Sequence, residues 1–159
     1  MIYSKTCEVA IRALTYYAKH QDAKAVSVKD VGREAGVSPT YVAKIFQCLV
    51  KSGILASVRG PAGGFVLLVP PSRLTLLQIV TALDDPQKSP FTNCVMGFNK
   101  CDDKTPCPLH PVWSKAKERM REQLHTCTLA EIAGLKNRFR LGRQKKHVLS
   151  KQMREVFSL

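Results

Sequence analysis

Apolar residues at Tyr3, Cys7, Ala10, Ile11, Leu14, Tyr17 and Ala18 recur in steps of three and four, which predicts an amphipathic helix over residues 3–19. Glu8, Arg12, Thr15 and Lys19 fall on its opposite face. The next segment opens with Ser27-Val28-Lys29-Asp30, a capping serine with an acid three residues on, and runs to Ala35. Gly36 supplies a turn, and Ser38 caps a third helix whose first position is Pro39, where a missing N–H costs nothing. Val42, Ile45, Phe46, Leu49 and Val50 form its apolar stripe, and Gly53 stops it.

Two helices joined by a glycine turn make a helix-turn-helix. Ile54–Val58 and Phe65–Val69 read as two short strands around the loop Arg59-Gly60-Pro61-Ala62-Gly63-Gly64, so a hairpin wing follows. Thr75-Leu76-Leu77-Gln78 is a capping box for a helix burying Leu76, Ile79, Val80 and Leu83, closed by Asp84-Asp85-Pro86. Residues 86–108 hold four prolines and three cysteines without an apolar period, the pattern of a functional loop. The stripe Leu109, Trp113, Ala116, Met120, Leu124 and Cys127 then predicts a second long helix, and Thr128 caps a short one ended by Gly134. The expected fold is mainly α with a small β-hairpin. It divides into a winged helix-turn-helix domain over 1–85, a cysteine-rich loop over 86–110, a long helix and a short one over 111–134, and a basic tail over 135–159.

Composition adds a partner. The 159 residues carry 25 Lys and Arg against 12 Asp and Glu, a net charge of +13, and such an excess usually meets a polyanion. Residues 1–85 hold 10 basic and 6 acidic groups, whereas residues 136–159 hold 8 and 1. The total therefore does not locate a specific site, and the recognition surface has to be read from the elements. If residues 38–51 form the recognition helix, Thr40, Lys44, Gln47 and Lys51 face outward, with Ser38 and Tyr41 at the leading end near base edges. Gln47 suits adenine, and Lys44 suits guanine or phosphate. Arg59 and Gly60 top the wing, where a guanidinium enters a narrow minor groove. The plainer alternative is a small α+β domain whose lysines are simply solvated. No apolar run approaches the roughly 18–20 residues of a membrane span, and the N-terminus lacks the order of a secretory signal. A cytoplasmic protein with no membrane partner is expected.

Six cysteines in such a chain argue against a disulfide framework. Cys7, Cys48 and Cys127 are scattered on helical patterns, and Cys7 falls on an apolar stripe. Cys94, Cys101 and Cys107 lie within 14 residues, separated by six and five positions, and Pro108-Leu109-His110 follows. Three thiolates and an imidazole suit zinc or an iron–sulfur cluster, not magnesium or calcium. The gaps exceed the two to four residues of a zinc knuckle, so the spacing favours a cluster. Three free thiols forming a switching disulfide are the other reading.

Taken together, the first-helix segment Ser4-Lys5-Thr6-Cys7-Glu8-Val9-Ala10-Ile11-Arg12-Ala13-Leu14, the wing Val58-Arg59-Gly60-Pro61-Ala62-Gly63-Gly64-Phe65 and the three-cysteine loop resemble the IscR and NsrR group of bacterial winged-helix regulators, the Rrf2 family. The likeness covers residues 1 to about 134. It implies a homodimer on a palindromic operator, paired through a dimerisation helix at residues 111–125. It also implies Cys94, Cys101 and Cys107 as ligands of an iron–sulfur cluster. His110 matches the histidine that completes a 2Fe–2S site in IscR-like proteins. Glu8 matches the carboxylate that reaches the partner subunit's 4Fe–4S cluster in NsrR-like proteins. The cluster type stays open, because the six-residue first gap departs from the IscR pattern. For Glu8 an i,i+4 ion pair with Arg12 is the plain alternative, and for His110 a capping role. The implied function is a transcriptional regulator, read as a repressor, that senses iron, redox state or nitric oxide. A thiol-switched or partner-controlled repressor and a zinc-structured interaction module are the alternatives. No phosphate loop, HExxH motif or nucleophile triad points to an enzyme.

Overall fold

In the computed structural model, residues 3–20, 25–60, 63–85, 91–98 and 101–134 are described. The basic tail at 135–159 and the wing-tip residues Pro61 and Ala62 lie outside them. The elements run α1 (Lys5–Lys19), α2 (Val28–Ala35), α3 (Pro39–Lys51), β1 (Leu55–Val58), β2 (Gly64–Leu67), α4 (Leu76–Leu83), α5 (His110–Thr126) and α6 (Leu129–Gly134). The caps expected at Ser27, Ser38 and Thr75 form, and Ser4, which the 3–19 periodicity places inside the first helix, caps α1 instead. The Ser4, Ser27 and Ser38 side chains accept from the Cys7, Asp30 and Tyr41 N–H groups, and Thr75 with Gln78 closes a reciprocal capping box. Gly36, at φ 69°, ends α2 in the left-handed region that a side chain disfavours.

Helix α1 is the centre of the molecule, packed against α2, α3, α4 and α6. Nine of its fifteen residues are buried, so its apolar face is wider than the stripe in the sequence. Thr15, expected on the polar face, is 5% exposed. Neighbours close around the helix there, and the Thr15 hydroxyl is satisfied by donating to the Ile11 carbonyl at 2.7 Å. Leu129 and Ile132 of α6 join the same core as Leu14, Phe46, Leu49 and Ile79. A bridge between Thr75 and Thr128 holds the start of α6 beside the start of α4.

The strands pair antiparallel with Leu55 opposite Leu67 and Val58 opposite Gly64. Phe65 also bridges to Val26 ahead of α2. A Cβ on Gly64 would sit 2.5 Å from the Val26 carbonyl oxygen, so the close approach of wing and domain requires glycine there. Phe46 of α3 meets Phe65 edge-on, with ring centroids 5.1 Å apart. That contact fixes the wing to α3.

Helix α5 behaves differently. Of its seventeen residues only His110 and Leu124 are buried. Trp113, Ala116 and Met120 of the predicted stripe are half-buried, and Leu109 is exposed. Its packing partner among the elements is α4.

Phe46 is fully buried, so Phe46→Ala is expected to destabilise the protein by about 3–5 kcal/mol. Urea unfolding followed by circular dichroism measures this, and a loss under 1 kcal/mol would contradict the packing described.

Candidate nucleic-acid interface and metal centre

Ser38 and Pro39 start α3 at the surface, and the helix turns Thr40, Lys44, Gln47 and Lys51 outward while Val42, Ile45, Phe46 and Leu49 are buried. Arg59 and Gly60 are exposed beyond β1. Gly60 takes φ 119°, and its carbonyl accepts from the Gly63 N–H at 2.9 Å, which turns the wing tip. The exposed face of α3 carries two lysines and no acidic side chain, and Arg59 adds a charge at the end of β1. Tyr41 stands apart from them. It is half-buried, and its hydroxyl lies 3.1 Å from the Thr6 hydroxyl of α1, so its polar atom is engaged inside the protein.

The cysteine loop returns onto α5. The Trp113 indole N–H donates to the Asn93 carbonyl at 3.3 Å, and the His110 N–H donates to the Cys107 carbonyl at 2.9 Å. The four candidate ligands come together as two pairs. Cys94 Sγ lies 3.7 Å from Cys107 Sγ, and Cys101 Sγ lies 3.3 Å from His110 Nδ1. Two thiolates on one tetrahedral metal, with bonds of about 2.3 Å, stand ~3.8 Å apart. Among the described residues no three or more His, Cys, Asp or Glu side chains converge to hold a single ion. By its chemistry, a donor set of three thiols and one imidazole fits an iron–sulfur centre or a zinc ion.

Glu8 is not in this group. Lys5 Nζ and Arg12 Nη2 reach its two carboxylate oxygens at 2.7 and 2.6 Å. The Lys5 hydrogen bond, with the Arg12 charge added, holds its carboxyl below the usual range. The i,i+4 pair with Arg12 thus forms within one chain. Arg12 Nε is buried without a hydrogen-bond partner among the described residues.

The thiols differ in character. The Met96 N–H lowers the Cys94 pKa, helped by the Cys107 thiol, the Phe98 N–H and the Lys117 charge, while burial opposes the shift. Burial pushes the Cys7 thiol up to about 12, and hydrogen bonding to Asp84 adds to it. Cys7 is fully buried and belongs to the core, as its place on the stripe predicts.

Sequence reasoning missed the residues that join these parts. Asp103 Oδ1 lies 2.8 Å from His110 Nε2. Asp84 Oδ2 accepts from the Ser4 N–H at 3.0 Å across 80 positions, and Thr6 meets Tyr41 across 35. No periodicity carries such pairings.

The family described as Rrf2, iron-dependent transcriptional regulator, matches residues 3–134. The regulator IscR of Yersinia pseudotuberculosis is 32% identical over 123 residues, covering 77% of this chain and 73% of the relative. Among solved structures, T. potens IscR superposes with a TM-score of 0.64 at 26% identity, over 84% of this chain and 87% of the other. CymR of B. subtilis, titled the global cysteine regulator, gives 0.69 at 22% identity, over 84% and 97%, a likeness of fold.

Two outcomes are expected. Arg59→Ala, at an exposed position, weakens DNA binding without loss of stability and reduces the log–log salt slope by about 0.9 if the guanidinium meets a phosphate; anisotropy titrations over a salt series measure it. In metal-free protein, alkylation begins at lower pH for Cys94 than for Cys127, whose thiol burial raises, because the lowered group ionises first. Peptide mass spectrometry across pH 6–10 reads the order.

Proposed function

The chain belongs to the Rrf2 family of transcriptional regulators, and on that premise we propose that this DNA-binding regulator is a homodimeric repressor whose operator affinity follows a 2Fe–2S cluster. The family makes it a regulator and not an enzyme. The observation that carries the cluster is the pairing of Cys94 with Cys107 and of Cys101 with His110. A 2Fe–2S centre takes two protein donors on each iron, whereas a 4Fe–4S centre takes one on each of four. When bound, such a cluster supplies one-electron redox chemistry and sensitivity to oxidants and nitric oxide.

The rest of the mechanism lies in this chain's own contacts. Cys107 and His110 anchor the loop to the first turn of α5, and Trp113 holds the loop's beginning to the same helix through Asn93. At the other end, Asp84 caps α4 where the chain enters the loop and accepts from Ser4 ahead of α1. Thr6, two residues further on, meets Tyr41 in the first turn of the recognition helix. A change in the loop is thereby passed to α5 and to the seat of α3. The sparsely buried α5 is the face through which two copies pair. A dimer must set its recognition helices about 34 Å apart on the duplex, so a small change at α5 alters affinity substantially. Thr40, Lys44, Gln47 and Lys51, with Ser38 leading, enter the major groove, and Arg59 and Gly60 reach the backbone or minor groove.

A second reading is favoured by the same 3.7 Å approach of Cys94 and Cys107. Oxidation of the two thiols by a peroxide, with loss of two protons and two electrons to give two waters, closes a disulfide and changes the same loop without iron.

Protein prepared without oxygen is expected to be brown with several visible bands and about two irons and two sulfides per chain. The loaded and metal-free forms are expected to differ at least tenfold in affinity for one palindromic operator at fixed salt. A colourless protein that cannot be reconstituted, but whose DNA affinity responds to peroxide, would replace the cluster by the disulfide. Equal affinity in every state would remove both.

A further inference from the structure

His110 is held at both ring nitrogens. Nδ1 faces Cys101 Sγ at 3.3 Å, and Nε2 faces Asp103 Oδ1 at 2.8 Å. The two contacts lie on opposite sides of a ring whose side chain is 10% exposed, while the Asp103 side chain is 99% exposed. Asp103 thus reaches the ring from the solvent side and Cys101 from the inside.

We infer that Asp103 is a positioning residue: it holds His110 with the proton on Nε2 and the Nδ1 lone pair turned inward, beside Cys101, as the fourth donor of the centre. The inference rests on the cluster reading of this site and adds a residue to it. A carboxylate accepts hydrogen bonds and has no proton to give, so the nitrogen it meets carries the hydrogen. In a neutral imidazole the other nitrogen is then free to bind a metal. A carboxylate behind a ligating histidine also fixes the ring plane and makes the ligand more basic.

The local chain supports that placement. Asp102, one residue before, accepts from the Lys104 and Thr105 N–H groups at 3.2 Å each and from the Thr105 hydroxyl at 3.3 Å. This folds residues 102–105 into a tight turn and fixes the backbone from which Asp103 extends. On the other side, the Cys107 carbonyl accepts from the His110 N–H at 2.9 Å. His110 is also the first residue of α5, so its backbone is set by the helix and the ring rotation is left to its partners. With the Asp103 side chain 99% exposed, the hydrogen bond contributes little to stability. Its role is directional, and for that reason stability measurements alone do not test it.

The test uses the full-length protein loaded with its cluster without oxygen, as wild type, Asp103→Ala, Asp103→Asn and His110→Ala. Asp103→Ala is expected to release iron to a chelator about tenfold faster than wild type and to raise the cluster's reduction potential, because a nearby negative charge is lost. Asp103→Asn keeps an acceptor for the Nε2 proton and is expected to release iron within about threefold of wild type. In the metal-free protein, the Nε2 proton of His110 is expected in nitrogen-edited NMR spectra as a hydrogen-bonded signal that Asp103→Ala abolishes. If His110→Ala alters the cluster and Asp103→Ala alters neither release, potential nor the NMR signal, the positioning role is overturned while the cluster reading stands. If the wild type takes up no cluster, or His110→Ala leaves its spectrum and release rate unchanged, the ligand assignment fails and the donor role of His110 fails with it.

Discussion

The architecture depends on the burial of α1 from nearly every side. A helix packed by α2, α3, α4 and α6 at once cannot shift without disturbing the recognition helix, the entrance to the cysteine loop and the end of the described chain together. Val9, Ala10, Ala13 and Leu14 are almost wholly removed from water. Small residues at 10 and 13 let neighbouring helices approach closely, and Leu14 fills the space between them. Apart from Lys19 in the last turn, the charged side chains of α1 lie in its first turns. There Ser4, Thr6, Glu8 and Arg12 hold Asp84, Tyr41 and one another. That short polar edge ties the end of α4, where the chain enters the cysteine loop, to the first turn of α3.

Around this rigid centre the remaining parts are incomplete in opposite ways. The α3 and wing surface is finished, with an apolar side fastened to the core by Phe46 and Phe65 and a polar side open to a polyanion. The α5 surface is sparsely covered: of its seventeen residues, His110 and Leu124 are buried among the described elements. Val95, Met96, Phe98, Leu109 and Val112, on the loop and the start of α5, are exposed apolar residues in the same region. Under the proposed dimer, binding of a second copy and ordering of the cysteine loop draw on one surface. This gives the loop a physical route to the spacing of the recognition helices.

Much of the fold was legible in local signals. Ser27, Ser38 and Thr75 cap helices where their sequence contexts place them, and Gly36 turns where a left-handed residue is needed. These devices act within four residues, so a single sequence displays them. The strand boundaries were less sharp. Ile54, Leu68 and Val69 fall just outside the strands and Gly64 inside them, although the Leu68 N–H still donates to the Ile54 carbonyl at 2.9 Å. Thr15 was misplaced because a period of 3.6 describes a helix with one buried face, and α1 has neighbours nearly all round.

The candidate ligands show the same division. Cys94, Cys101, Cys107 and His110 stand out as candidate ligands by residue type and by the width of their gaps, since donor chemistry is a property of single side chains. Their grouping into two pairs is not in the spacing; it follows from how the loop folds back on α5 through Trp113 and Asn93. Equally, the outward residues of α3 follow from helical period alone, whereas the engagement of Tyr41 by Thr6 depends on α1 crossing that end of the helix. Capping, periodicity and donor type are local and survive in one dimension. Pairing across 35 or 80 positions is settled by the packing of whole helices, which no local pattern encodes.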